Sequence, residues 1–313
     1  MGKKFTIGVL IGNVHTAHPK DLMRGIRAAA SGMDVNVIYF LGTQSVRFNQ
    51  KFALEDFDYQ YNTVYDYAKL AKVDVLIIAY GSLCIFQKNE DKQAFLDKFA
   101  GIPYVLLEDA TDDPRGIYVM VDNFGGMQKC VEHLIIEHHL KHLVYLGGPE
   151  DNQDAIERKA AFLNVMAEHH LPVTPEMMAV GDYSEFVDNL VEQLLKDNPD
   201  AEAIISANDE MTVACYRVCK AHGLRIGKDI LITGFDDVER ARYSNPPLTT
   251  ASQDAYKMGQ IAVEKAVDIC AGRPVESVRL DAELIIRESC GCKVTRRAKE
   301  KADEKTELLH IID

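Results

Sequence analysis

The sequence predicts an α/β protein built from two doubly wound, Rossmann-like parallel-sheet lobes with a hinge between them. Short apolar runs alternate with amphipathic stretches of helical period nearly from end to end, which is the pattern of βαβ units. At 313 residues, 47% of them hydrophobic, the chain can fill two cores of ordinary size. Repeats of low complexity and long polar tracts are missing, so disorder, collagen and small disulfide scaffolds are excluded.

The elements follow in order. Phe5 to Ile11 is an apolar run that reads as a buried first strand. The basic pair Lys3-Lys4 ahead of it invites a signal-peptide reading, but the run is short, has no small-residue cleavage site after it and breaks at Asn13 and His15. Further strands are expected at Val35 to Leu41, Asp74 to Ala79, Tyr104 to Leu107, Gly116 to Val121, His142 to Leu146, Ala203 to Ser206 and Ile230 to Thr233. Between them, His18 to Ala30, Asn123 to Glu137, Asp154 to His169, Glu185 to Lys196, Asp209 to His222 and Asp254 to Ala271 place apolar residues at three- and four-residue intervals, the spacing of amphipathic helices. Two more short strands, Ser277 to Leu280 and Glu283 to Ile286, are expected to cross back and complete both sheets. One lobe therefore takes residues 3–138 with 253–281 and the other 139–252 with 282–292. Residues 293–313 alternate basic and acidic side chains until Leu308-Leu309, which reads as a charged helical tail or a connector.

The net charge of −13 repels phosphate backbones, so this stretch of chain by itself is a poor DNA binder. No run approaches the roughly 18 apolar residues that span a bilayer, so no membrane partner is expected. Seven cysteines without compact disulfide spacing point to reduced thiols and a cytoplasmic location.

In doubly wound domains ligands bind beyond the carboxyl ends of the strands. Those exits are polar here: Asn13, His15, Thr16 and His18; Tyr80, Gly81 and Ser82; Glu108 and Asp109; Gly147-Gly148 leading to Asn152; Asn208-Asp209; and Asp236-Asp237. Asn and Asp together donate to and accept from vicinal hydroxyls, Arg158 can fork to two oxygens, and Tyr80, Phe86, Tyr183 and Phe235 can stack on a ring. Asn208 and Asp154 also read as helix N-caps. Phosphate-loop, dinucleotide-fingerprint and nucleophile-elbow motifs are all missing, so no catalytic residue, no cofactor and no enzymatic activity is assigned to the chain. His138, His139 and His142, or Cys290 and Cys292, could be sought as metal ligands, but one residue between the cysteines is tighter than usual zinc spacing, and no metal is expected. Cys215 and Cys219, one helical turn apart among apolar neighbours, read as core.

Several spaced motifs in one order resemble the effector-binding core of lac-repressor and gal-repressor type regulators. They are Ile7 to Ala30, Val121-Asp122-Asn123-Phe124-Gly125-Gly126, Leu146-Gly147-Gly148-Pro149, Ser206-Ala207-Asn208-Asp209-Glu210-Met211, Gly234-Phe235-Asp236-Asp237 and Pro246-Pro247-Leu248-Thr249-Thr250. The resemblance implies a type I periplasmic-binding-protein fold with three crossovers and an effector, sugar-like or related, in a cleft that closes on it. It places effector contacts at Asn13, His15, Tyr80, Arg158, Asn208, Asp236 and Gln253. It also implies a homodimer, with DNA bound only through a helix-turn-helix headpiece absent from this chain. His18-Pro19-Lys20 departs from the family's aromatic rim loop, which leaves a nucleoside or purine effector as the alternative. The run Arg287 to Cys292 ahead of a charged helix resembles sensor domains fused to an output enzyme such as a diguanylate cyclase, the second alternative. A free-standing solute-binding protein is a third.

Overall fold

A computed structural model of the chain describes residues 4–43, 58–83 and 89–293. The expected tail beyond Lys293 and the aromatic Phe86 lie outside the described residues.

The chain opens with β1 (Phe5–Gly12), α1 (Ala17–Ser31) and β2 (Val35–Gly42), and continues through a 3-10 stretch (Asp58–Asp66), α2 (Tyr67–Leu70), β3 (Val75–Ala79), α3 (Tyr80–Leu83) and α4 (Asn89–Asp97). Next come β4 (Tyr104–Leu107), β5 (Gly116–Val121) and α5 (Asn123–Glu132), which ends in a π turn (His133–Glu137). Then follow β6 (Leu143–Gly147), α6 (Gln153–Glu168), β7 (Met178–Val180), α7 (Asp188–Asp197), β8 (Ala203–Ser206) and α8 (Asp209–Ala221). The last described elements are β9 (Leu231–Asp236), α9 (Glu239–Tyr243), β10 (Thr249–Ser252), α10 (Ala255–Cys270), β11 (Val278–Leu280) and β12 (Glu283–Ile285).

Two six-stranded sheets result, ordered β11-β5-β4-β3-β1-β2 and β12-β10-β9-β8-β6-β7. Pairing is parallel along β2-β1-β3-β4-β5-β11 and along β6-β8-β9-β10, as the βαβ pattern requires. The late strands β11 and β12 each close one sheet, as expected from their position. By compactness the chain forms two units. Of the described residues, the first holds those up to Met127, Gly147–Ala161 and Gln253–Glu283; the second holds Gln128–Leu146, Phe162–Ser252 and 284–293.

In the first unit, β3 is buried along its whole length because helices cover both faces of a parallel sheet. Ile7, Val9, Ile77 and Val105 face α1 and α10, while Leu10, Leu76, Ile78 and Leu106 pack with Phe95 and Phe99 on the other side. α1 and α10 touch backbone to backbone at Gly25, where a Cβ would lie 1.9 Å from the Tyr256 carbonyl oxygen. Only glycine permits that approach.

Several elements depart from expectation: α2, α3, α4, β7 and α9 have no counterpart in the sequence pattern, and two further departures bear on the site. β9 runs three residues further than predicted, so Asp236 is its last residue instead of part of the loop after it. β10 was not predicted, because Thr249-Thr250-Ala251-Ser252 lacks an apolar run. Its threonines are buried by spending their polar groups. Thr249 N–H donates to Ser289 Oγ at 2.8 Å, Thr249 Oγ1 accepts from Arg287 N–H at 2.9 Å, and Thr250 Oγ1 donates to Asp209 Oδ1 at 2.7 Å.

Candidate functional site

The first unit carries five of the predicted site residues. β1 ends at Gly12, and Asn13 follows in the left-handed region at φ 52°. The Asn13 carbonyl oxygen accepts from both the N–H and the hydroxyl of Thr16 at 3.0 Å, a turn that leaves His15 exposed just ahead of α1. The His18 ring is hydrogen-bonded through Nε2 to the buried Glu108, itself at φ 67° at the end of β4. Tyr80 is buried at the end of β3, packed against Phe95 with ring centroids 6.0 Å apart. The Lys92 ammonium lies 5.2 Å from the Tyr80 ring centre and pairs with Asp109 at 2.6 Å. Gln253 is buried one residue after β10, next to Asp254, whose side chain caps α10 by accepting from Lys257 N–H at 3.1 Å.

Among the described residues Arg158 is the largest fully buried side chain. Its Nε donates to Asn123 Oδ1 at 2.9 Å, and its Nη2 lies 3.7 Å from Asp154 Oδ2, one turn earlier on α6. Asn123 closes the triangle by donating from Nδ2 to Asp154 Oδ1 at 2.8 Å. Burial pushes the Asp154 carboxyl up to about 7, with Arg158 opposing the rise and Glu108, Glu157 and Asp109 adding to it. The raised Asp154 carboxyl thus sits beside the Arg158 guanidinium and within electrostatic reach of Glu108 and Asp109, the partners of His18 and Lys92. Asp154 is not the cap of α6. That role falls to Asn152, whose Oδ1 accepts from Ala155 N–H at 3.0 Å.

The second unit carries Asn208 and Asp236. Asn208 caps α8 as expected, accepting from Met211 N–H at 3.0 Å, while its Nδ2 donates to the Tyr183 carbonyl at 3.2 Å. Beside it, Asp209 is buried and accepts from Thr250 Oγ1 and from Val238 N–H at 3.0 Å. Burial and the neighbouring Asp236 push its carboxyl well above the usual range. Asp236 ends β9 at φ 121°, a conformation that favours glycine, and Asp237 follows at φ 57°. Asp237 is held by Arg287 at 2.6 Å and Arg242 at 3.2 Å. A cavity of about 170 Å³ behind Asp209 is lined by Tyr216, Arg240 and Leu248 among others, and is smaller than the roughly 300 Å³ at which ligand pockets begin.

Asn123 was missed as a site residue because nothing in its motif says that its amide bridges a carboxylate and a guanidinium from a helix 30 residues away. The predicted core cysteines behave as core: Cys215 and Cys219 are buried, and burial pushes the Cys219 thiol up to about 12. Of the histidines considered as ligands, His142 turns to Asp200 at 2.8 Å and Asn198 at 3.4 Å. Among the described residues no helix is long and apolar enough to cross a membrane.

A family profile described as a periplasmic binding protein-like domain matches residues 131–290, just over half of the chain. The HTH-type transcriptional regulator CelR of Thermobifida fusca is 30% identical over 216 residues, 66% of this chain and 62% of that regulator. The chain therefore spans less than two thirds of that relative. Among solved structures, a transcriptional regulator CelR–cellobiose complex superposes with a TM-score of 0.76 at 23% identity, covering 92% of this chain and 85% of that one. A lac repressor dimer bound to operator and an anti-inducer gives the same TM-score and identity, covering 93% and 82%. At this identity the two structures speak for the fold.

Proposed function

The chain belongs to the periplasmic binding protein-like family, as the effector-binding core of lac-repressor-type regulators, and on that premise we propose that it senses a sugar-like molecule for a transcriptional regulator. The observation that carries the reading is the Arg158 triangle. The fully buried Arg158 guanidinium donates to Asn123 and lies beside Asp154, whose carboxyl is pushed up to about 7 by burial. An uncharged polyhydroxyl ligand suits such a group, because hydroxyls accept from the guanidinium without adding a second charge. On this reading Asn208 and Asp236 in the second unit and Asn13, His15, Tyr80 and Gln253 in the first are the further proposed contacts. The cellobiose in the CelR complex makes an oligosaccharide the first class to test.

Signalling then needs only a difference in affinity between two states of the core, since the ligand shifts their populations by that difference. The regulator reading is preferred over a fused output enzyme because the relatives are named as transcriptional regulators. DNA contact, a homodimer and a cytoplasmic location belong to the same proposal. Sedimentation at micromolar concentration should show the dimer.

Calorimetric titration with cellobiose, other mono- and disaccharides and nucleosides tests the reading. Arg158→Ala and Asp236→Ala should each weaken the best sugar by about 100-fold, the size of a lost charge-assisted hydrogen bond. A sugar bound equally well by both variants would discard the site. A nucleoside binding in place of every sugar would change the effector class and leave the site standing.

A further inference from the structure

We propose that His133, His138, Cys290 and Cys292 form a tetrahedral zinc site in the second unit, tying the segment after β12 to the end of α5. The four ligand atoms all lie within 4.8 Å of one another. His133 Nε2 is 3.4 Å from Cys290 Sγ and 3.6 Å from Cys292 Sγ, and His138 Nε2 is 3.4 Å from Cys292 Sγ. A tetrahedral zinc ion with bonds of about 2.3 Å to sulfur and about 2.05 Å to nitrogen sets a sulfur and a nitrogen about 3.6 Å apart. The observed spacings match that edge. The imidazole rings stand at 80° with centroids 5.0 Å apart, so the two nitrogens converge without the rings stacking.

The backbone builds the site from two irregular pieces. On an ideal α-helix, residues five apart point about 140° away from each other. The π turn His133–Glu137 narrows that divergence, and such turns recur at functional positions. On the other side, Gly291 at φ 85° makes a turn that puts both cysteine sulfurs on the His133 side, and a Cβ there would lie 3.2 Å from the Gly227 carbonyl. Two thiolates and two imidazoles are a donor set for zinc in preference to the harder cations, which take oxygen. The site owes nothing to the effector contacts, so it can stand or fall independently of the proposed function.

The test is metal analysis of the chain purified without chelators, followed by cobalt exchange. One zinc per chain is expected, and cobalt should give the visible bands of a tetrahedral thiolate-ligated ion. Both signals should vanish in Cys290→Ser/Cys292→Ser and persist in Cys270→Ser. Failure of the reduced protein to take up stoichiometric zinc, or a cobalt spectrum unchanged in the double variant, would overturn the site. So would a mass showing a Cys290–Cys292 disulfide in place of the metal. If the double variant does not fold, the unaltered protein decides: a strong chelator must release zinc and expose two newly reactive thiols together, and release of metal without those thiols rejects the assignment.

Discussion

Each compact unit holds an aspartate in the first turn of a helix, Asp209 buried and Asp154 half-buried, and the two aspartates are matched in opposite ways. Asp209 in the second unit is satisfied from within, by a threonine hydroxyl and a backbone N–H. Asp154 in the first unit is shared between the Asn123 amide and the Arg158 guanidinium, which is 3.7 Å away. A carboxyl closed by fixed donors of the fold serves stability. One set against a charged, hydrogen-bonded side chain has a partner that, in the proposed function, the effector also engages. Buried polarity alone therefore does not mark a site; the kind of partner does.

The contrast can be broken by substitution. Asp209→Ala leaves the Thr250 hydroxyl and the Val238 N–H buried without their acceptor, and should cost about 3 kcal/mol in urea denaturation. Asp209→Asn keeps one acceptor and should cost less. A loss near zero for Asp209→Ala would erase the structural role given to this residue.

Asp154 predicts a pH effect. Its carboxyl is raised from 3.8 to about 7 in the folded protein, so the folded state binds the proton more tightly than the unfolded chain. Stability from this group is present below about pH 4 and falls as pH rises toward 7. Denaturation of wild type and Asp154→Asn across that range should show the wild type losing ground relative to the variant with rising pH. Parallel curves would place the Asp154 carboxyl in the ordinary range.

The smallest effect is at Asn208. Asn208→Ala removes a helix cap and should cost about 1 kcal/mol. Asn208→Asp retains the acceptor for Met211 N–H and loses the donor to Tyr183, so its stability should stay closer to wild type. A proposed effector contact tested there should therefore be read with Asn208→Asp, where binding and folding separate most cleanly.

Much of this was legible in the sequence. Strands such as Tyr104–Leu107 and Ala203–Ser206 fell where their apolar runs said, because burial on both faces of a parallel sheet leaves few places for polar residues. Asn208 was recognisable as a cap because an Asn ahead of Asp209 and Glu210 and an apolar-periodic stretch is a helix start. β10 was invisible, since buried threonines look like a turn until their hydroxyl partners are known. The capping of α6 by Asn152 instead of Asp154 shifted by two residues, within the usual uncertainty of helix ends.

The sequence by itself determined the α/β class, the order of the main apolar strands and amphipathic helices and the polar exits, because hydrophobic period and capping chemistry act over a few neighbouring residues. Only the tertiary structure decided which polar groups are satisfied and by whom. Asn123 meets Arg158 from 35 residues away, and His133 meets Cys290 from 157. Such meetings depend on how crossovers stack and on one π turn and one left-handed glycine, and local periodicity carries no record of either.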